Sequence, residues 1–228
     1  APPDLTHSRE DYDVEELFWI IYHGLKYTGM PAWAGRGRSD EVWPLVALVA
    51  HLHENGAESF SDLTAQDRNS PCGRCRGGKE APPISGMVPV LNGQSAAYLA
   101  RALREYRSGE RQSGMMEPLA HELSDAEIEK IARGFAGMQP VPGKADQQID
   151  AETLELGKRL ALNGNRQEGI PACSSCHGGT GPDYPSLAGQ PARYLHGQLQ
   201  LFAKGGRSST GYGAIMTVIA RRLSDAEM

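Results

Sequence analysis

Cys173-Ser174-Ser175-Cys176-His177 is the stretch on which the reading of this 228-residue chain turns. A Cys-x-x-Cys pair serves as a redox dithiol, as half of a zinc site or as a point of haem attachment, and the residue after it decides. Here that residue is His177. On a helical turn, positions i and i+3 share a face. Two thiols so placed can add to the two vinyl groups along one porphyrin edge, and the next residue is directed beneath the ring, toward the iron. A zinc ribbon needs its second pair within about 15–20 residues, whereas Cys72 and Cys75 lie far upstream. A thioredoxin-like dithiol wants β-α-β surroundings. Those here are rich in Gly and Pro, with helical segments between.

Downstream, Gly178-Gly179-Thr180-Gly181-Pro182 has no regular period and reads as a loop. Pro185-Ser186-Leu187-Ala188-Gly189-Gln190 then leads into a helical stretch, Pro191 to Ala203. Its apolar face holds Tyr194, Leu195, Leu199 and Phe202. Met216 follows in a segment that the glycines of Gly211-Tyr212-Gly213 make loop-like. A lone Met is more often core than ligand. About forty residues after a haem motif, its soft thioether becomes the candidate partner of His177 on the iron, a pairing that raises the reduction potential.

In the Cys173–His177 motif, the Pro185–Leu195 segment, Arg207, Met216 and Leu223-Ser224-Asp225-Ala226-Glu227, the chain resembles class I cytochromes c, specifically the two-domain dihaem periplasmic type. The resemblance implies an all-α fold of consecutive small domains, each a set of short helices wrapped around haem c. It implies a proline loop that lies over and orients the proximal histidine, so Pro185 is a candidate supporting residue. It also places Leu187, Gln190 and Tyr194 among the cofactor-binding candidates.

The chain contains part of itself twice. Pro89 to Leu99 matches Pro185 to Leu195 at a constant offset, Arg111 matches Arg207, and Met116 matches Met216. Leu123-Ser124-Asp125-Ala126-Glu127 repeats as Leu223 to Glu227 residue for residue, each with a Ser N-cap and a Glu at the capping-box position. The expected domains are 55–140 and 141–228. The first copy reads Cys72-Gly73-Arg74-Cys75-Arg76, with Arg76 where the histidine belongs. Arginine is cationic and offers iron no lone pair. Three readings stay open. Cys72 and Cys75 are haem-free, as thiols or a disulfide; or they carry haem whose iron takes a ligand from elsewhere; or position 76 is misread. Met116, with Met115 beside it, is the candidate ligand there, and an emptied pocket would be costly to keep.

Residues 1–54 match neither copy closely. Leu17 to Leu25 reads as an apolar helix, and Ser39-Asp40-Glu41-Val42-Trp43 starts a second that runs to about His53. Between them lies Thr28-Gly29-Met30-Pro31. By resemblance this is the second half of a further class I domain with Met30 as its distal ligand, whose attachment motif would precede Ala1. The last helix of the third domain would likewise continue past Met228. His7, His23, His51, His53, His121 and His196 read as surface or hydrogen-bonding residues, with His23 the nearest to the Met30 segment.

Composition agrees with this division. Aromatic residues are only 7% while Gly (27) and Pro (15) are plentiful, which suits small loop-rich domains whose core a large apolar cofactor completes. A net charge of −5 and the lack of a basic run exclude nucleic acid as the expected partner. No stretch approaches the ~18 apolar residues of a membrane span. Linkers are expected near Glu54–Ser61 and Gln139–Ile149. With His177 and Met216 filling both axial positions, no site is left open for a substrate. The expectation is a multihaem relay of single electrons, with one to three covalent haems. It would work in the bacterial periplasm between a donor dehydrogenase and an acceptor oxidase or reductase, either soluble or attached to a membrane complex. The rival is a haem-bearing subunit of a dehydrogenase or oxidase complex, whose middle domain is a reactive haem or a haem-less scaffold.

Overall fold

The computed structural model describes residues 4–7, 11–58, 72–76, 82–141, 149–178 and 183–228. Among these the regular structure is helical, broken only by an isolated antiparallel bridge between Asn165 and Ile170. Residues 59–61 of the first expected linker, 142–148 of the second and 179–182 of the glycine loop lie outside the described residues. The chain divides into two compact units, one of Ala1–Arg74 with Gln112–Leu119, the other of Cys75–Arg111 with Ala120–Met228.

In the first unit the Val14–His23 helix starts at a capping box, where the Asp13 carboxylate accepts from the Glu16 N–H and Glu16 accepts from the Asp13 N–H. It stops at Gly24, whose φ of 69° suits glycine and whose Cβ, if present, would meet the Pro31–Ala32 backbone. The expected second helix begins as a short 3₁₀ turn, Ser39–Glu41, and becomes α-helical only at Trp43–Asn55, with Pro44 in its first turn where no N–H is needed. Leu17, Val42, Val46 and Val49 form the buried core, covered by Phe18, Ile21, Tyr22 and Trp33.

The second unit contains three packed helix pairs. The Ala96–Arg107 helix, capped by Ser95, packs on the Asp125–Ala136 helix, capped by Ser124 in a full capping box. Leu99, Ala100 and Ala102 of one, and Ile128, Ala132 and Phe135 of the other, are buried. The Ala192–Ala203 helix packs in the same manner on Gly211–Ala220, and Ala151–Asn163 lies against the short Ser174–His177 helix.

Two expectations are corrected. Met216 lies inside a helix, not a loop. Thr210 caps that helix by accepting from the Gly213 N–H, and Gly213 is needed because a side chain there would run into the Arg207 carbonyl. Ser224–Met228 forms a hydrogen-bonded turn in place of the expected helix, although Glu227 still accepts from the Ser224 N–H and hydroxyl in the capping manner.

The matching segments of the two copies meet inside this unit. The Gln94 amide donates to the Ser186 carbonyl and accepts from the Ser186 N–H, at 2.6 and 2.9 Å. The Gln190 amide does the same with Val90, at 2.7 and 3.0 Å. Gln94 corresponds to Gln190, and Val90 to Ser186, so the pairing is reciprocal and relates the copies by a local two-fold.

Candidate functional site

Cys173 stands just before the one-turn Ser174–His177 helix, where the His177 N–H bonds back to the Cys173 carbonyl at 2.9 Å. That turn puts the two sulfurs and the imidazole of the motif on neighbouring positions of one helical surface. Cys173 and Cys176 are exposed and free, and desolvation at the Cys173 sulfur pushes its thiol up. His177 is half-buried. Its Nδ1 donates to the Pro185 carbonyl oxygen at 2.8 Å. With Nδ1 carrying the proton, Nε2 holds the free lone pair, the arrangement a metal-ligating histidine needs.

Aromatic rings connect the histidine with the segment of the methionine. Tyr184 meets His177 edge-on at 6.0 Å between centroids, and Tyr212 meets Tyr184 at 5.5 Å. Tyr212 belongs to the helix that carries Met216. Leu187 closes the turn after the proline, accepting from the Gln190 N–H at 3.1 Å. Both polar ends of the Gln190 side chain are turned to Val90 of the other copy.

Tyr194 sits with Tyr98, its match in the first copy, around Arg111 and Arg207, which also match each other. Arg111 stacks 4.5 Å from the Tyr106 ring centroid and Arg207 4.3 Å from that of Phe202. Burial, and then the Arg111 cation, push Arg207 below the ordinary arginine value. Arg111 lies above the ordinary arginine value: burial lowers it, but the negative charge that Tyr106, Tyr98 and Tyr194 carry when ionised raises it more. Burial likewise raises the Tyr194 phenol. Among the described residues no carboxylate pairs with either guanidinium. Two desolvated cations so placed call for an anionic group. The carboxylates of a porphyrin meet that need, and the sulfur and imidazole donors of the motif meet its edge and its iron, so the residues present fit haem c.

The first copy is arranged differently. Cys72 stands just before the Gly73–Arg76 turn and Cys75 lies within it, where the Cys75 carbonyl accepts from the Ile84 N–H. Met116 opens the Met116–His121 helix, its N–H donating to the Ser113 hydroxyl at 3.0 Å. Ser113 in turn donates to the Glu41 carboxylate at 2.6 Å. Glu41 also accepts from the Gly114 N–H at 2.7 Å and from Trp33 Nε1 at 3.1 Å, and pairs with Arg38 at 2.9 Å. Met30 is half-buried in a turn where its carbonyl accepts from the Leu25 N–H.

Comparison with known proteins bears on the same conclusion. No family model matches the chain. It is 33% identical to the thiosulfate dehydrogenase electron acceptor of Stutzerimonas stutzeri over 82% of this chain and 90% of that one. It is 34% identical to cytochrome c4 of Pseudomonas aeruginosa, covering 81% of this chain and 92% of the other.

The chain belongs to the cytochrome c4 family.

The solved cytochrome c4 of Pseudomonas stutzeri agrees in fold, with a TM-score of 0.60 at 30% identity over 75% of this chain and 92% of that one. This cytochrome c4 relative is therefore all-α, carries covalent haem c, and relays electrons as a carrier and not as an enzyme. Its partners are redox proteins and its compartment the periplasm. Among the described residues no helix is long and apolar enough to cross a membrane.

Sequence reasoning singled out the motif, the proline segment and the methionines Met30, Met116 and Met216. It passed over Glu41 and Arg101, which have no counterpart in a motif, and it noted Arg111 and Arg207 only as matching positions. The coincidence of two matched Tyr–Arg pairs, Tyr98 with Arg111 and Tyr194 with Arg207, was the signal available for that cluster.

Proposed function

We propose that residues 141–228 hold one haem through thioethers to Cys173 and Cys176, with His177 and Met216 as the axial ligands, and that this haem exchanges single electrons with a periplasmic dehydrogenase. The observation that carries the reading is the His177 Nδ1–Pro185 hydrogen bond, which leaves Nε2 for iron. His177 binds, Pro185 orients it, and Tyr184 and Tyr212 crowd the space between the ligand-bearing segments. When bound, the haem supplies a one-electron couple. With His177 and Met216 both given to the iron, no coordination position would be left for substrate, and such a ligand pair would favour a high potential. The name of the Stutzerimonas relative points to a thiosulfate-oxidising donor, with a terminal oxidase or reductase, soluble or membrane-bound, as acceptor.

Residues 55–140 would be the matching domain, in which Cys72 and Cys75 would hold a second haem and Met116 would be a candidate iron ligand. The presence of one desolvated guanidinium per copy, Arg111 and Arg207, favours an anionic group in each. Arg76 cannot ligate, so a haem held there would need a second ligand from elsewhere or would leave a coordination position for small molecules. Residues 1–54 belong with a further domain, in which Met30 is the distal ligand.

The test is reduction of the purified oxidised protein by a thiosulfate dehydrogenase supplied with thiosulfate, followed through the sharp visible bands of low-spin ferrous haem. Growth of those bands supports the reading. A protein that dithionite reduces but this donor leaves oxidised would refute the proposed donor.

A further inference from the structure

We propose that Arg101, on the Ala96–Arg107 helix of the first copy, is a positioning residue for the haem of the second copy, holding together the two segments that present its axial ligands. The inference rests on the reading of His177 and Met216 given above.

The Arg101 guanidinium lies over the Tyr212 ring, 4.0 Å from its centroid. It also donates to the Asp183 backbone oxygen, with the Asp183 carboxylate 3.5 Å away. Asp183 is two residues before Pro185, whose carbonyl holds His177 Nδ1. Tyr212 is about one helical turn before Met216 on the Gly211–Ala220 helix. Tyr184 fills the space between, touching both Tyr212 and His177 edge-on. One side chain thus bonds the loop on the histidine side and stacks on the helix of the methionine.

Arginine suits this task because its planar cation can stack by its face while its edge donates. Glu105, one turn along the same helix, pairs with Arg101 Nε at 3.5 Å and fixes its orientation. The device acts in one direction only. The offset that relates the copies puts Gly197 where Arg101 stands, so the second copy offers no such arm in return. Two haems in matching domains would therefore meet unequal surroundings, which an ordered relay requires.

Loss of Arg101 would have two effects. The Asp183 carboxylate would be left without this cation, favouring the more positive, ferric iron. The Tyr212 ring would also lose its stacking partner, loosening the approach of Met216.

The experiment uses the whole haem-loaded protein and the variants Arg101→Gln, Arg101→Lys, Tyr212→Leu and Met216→Ala. Two quantities are read: the midpoint potential, and the ring-current-shifted proton signal of the ligating methionine methyl in the reduced state. The signal that Met216→Ala removes is the one followed. Arg101→Gln should lower the midpoint and move that signal. Arg101→Lys should restore the midpoint, since it keeps the charge, but not the signal, since it cannot stack. Tyr212→Leu, which leaves the charge in place, should move the signal alone and provides the test if Arg101→Gln folds poorly. An Arg101→Gln protein with normal helicity and haem content whose potential and methyl signal both match the parent would overturn the inference. If Met216→Ala removes no such signal, the ligand reading itself has failed, an outcome separate from failure of Arg101.

Discussion

The Pro185 carbonyl oxygen lies 2.8 Å from His177 Nδ1. His177 ends the Ser174–His177 helix, and Pro185 lies eight residues on, ahead of the Ala192–Ala203 helix. The bond fixes the tautomer and the ring orientation together. It would hold the imidazole of the proposed ligand in place, so changes in ligation are expected first on the methionine side.

Replacing Met216 with Ala removes the thioether while leaving His177 and its support in place. The midpoint potential should fall, and the reduced protein should bind carbon monoxide at the vacated position. Optical titration with the gas checks this. A variant with the parent's potential and no added binding would mean that Met216 is packing only.

Glu41 is buried and receives Ser113, Gly114, Trp33 and Arg38. Glu41→Ala takes the acceptor from the Ser113, Gly114 and Trp33 donors, while Arg38 keeps its pair with Asp40 and its bond to the Gln112 carbonyl. The expected loss is about 1–3 kcal/mol, the cost of stranding buried donors. Glu41→Gln keeps an acceptor and should lose less. Urea unfolding of the two variants measures the difference.

Gln94 and Gln190 each close a two-bond ring with the opposite copy. Gln94→Ala strands a backbone N–H and a carbonyl at this contact and should cost about 1–3 kcal/mol. By the local symmetry, Gln190→Ala should cost a similar amount. Thermal unfolding of both single variants tests whether the two rings are equivalent.

Acid should weaken the helix starts before the core. Hydrogen bonds from Ser124 hold Glu127 below its ordinary value of 4.5, and Thr153 holds Asp150 below 3.8. A carboxylate whose pKa is depressed by folding stabilises fully above its unfolded value, and that contribution disappears as pH falls through the folded value. The melting temperature should therefore stay level from neutrality to about pH 5 and decline below it. Glu127→Gln should flatten the decline, as a pH series followed by circular dichroism would reveal.

Local chemistry was legible in the sequence and long-range pairing was not. The proposed attachment motif declares itself because two thiols and an imidazole fall within five consecutive positions. The duplication is equally plain, since Leu123–Glu127 recurs unchanged as Leu223–Glu227. The helical setting of Met216 was hidden by Gly211 and Gly213. These read as helix breakers, yet Gly213 is required by close approach to the Arg207 carbonyl. Glu41 looked like an ordinary first-turn acid, the commonest place for one, and only the fold turns it inward to meet Ser113 from far along the chain. Arg101 gave no signal because its partners, Asp183 and Tyr212, lie in the other copy and follow no periodicity.

The intact mass of the purified protein, made in cells able to attach haem, tests the central claim most directly. The parent should weigh more than its polypeptide by a whole number of haems. A Cys173→Ser, Cys176→Ser variant should lose one haem's mass together with its share of the reduced low-spin bands. A parent whose mass equals that of the bare chain, or a double variant that loses no haem, would contradict the account.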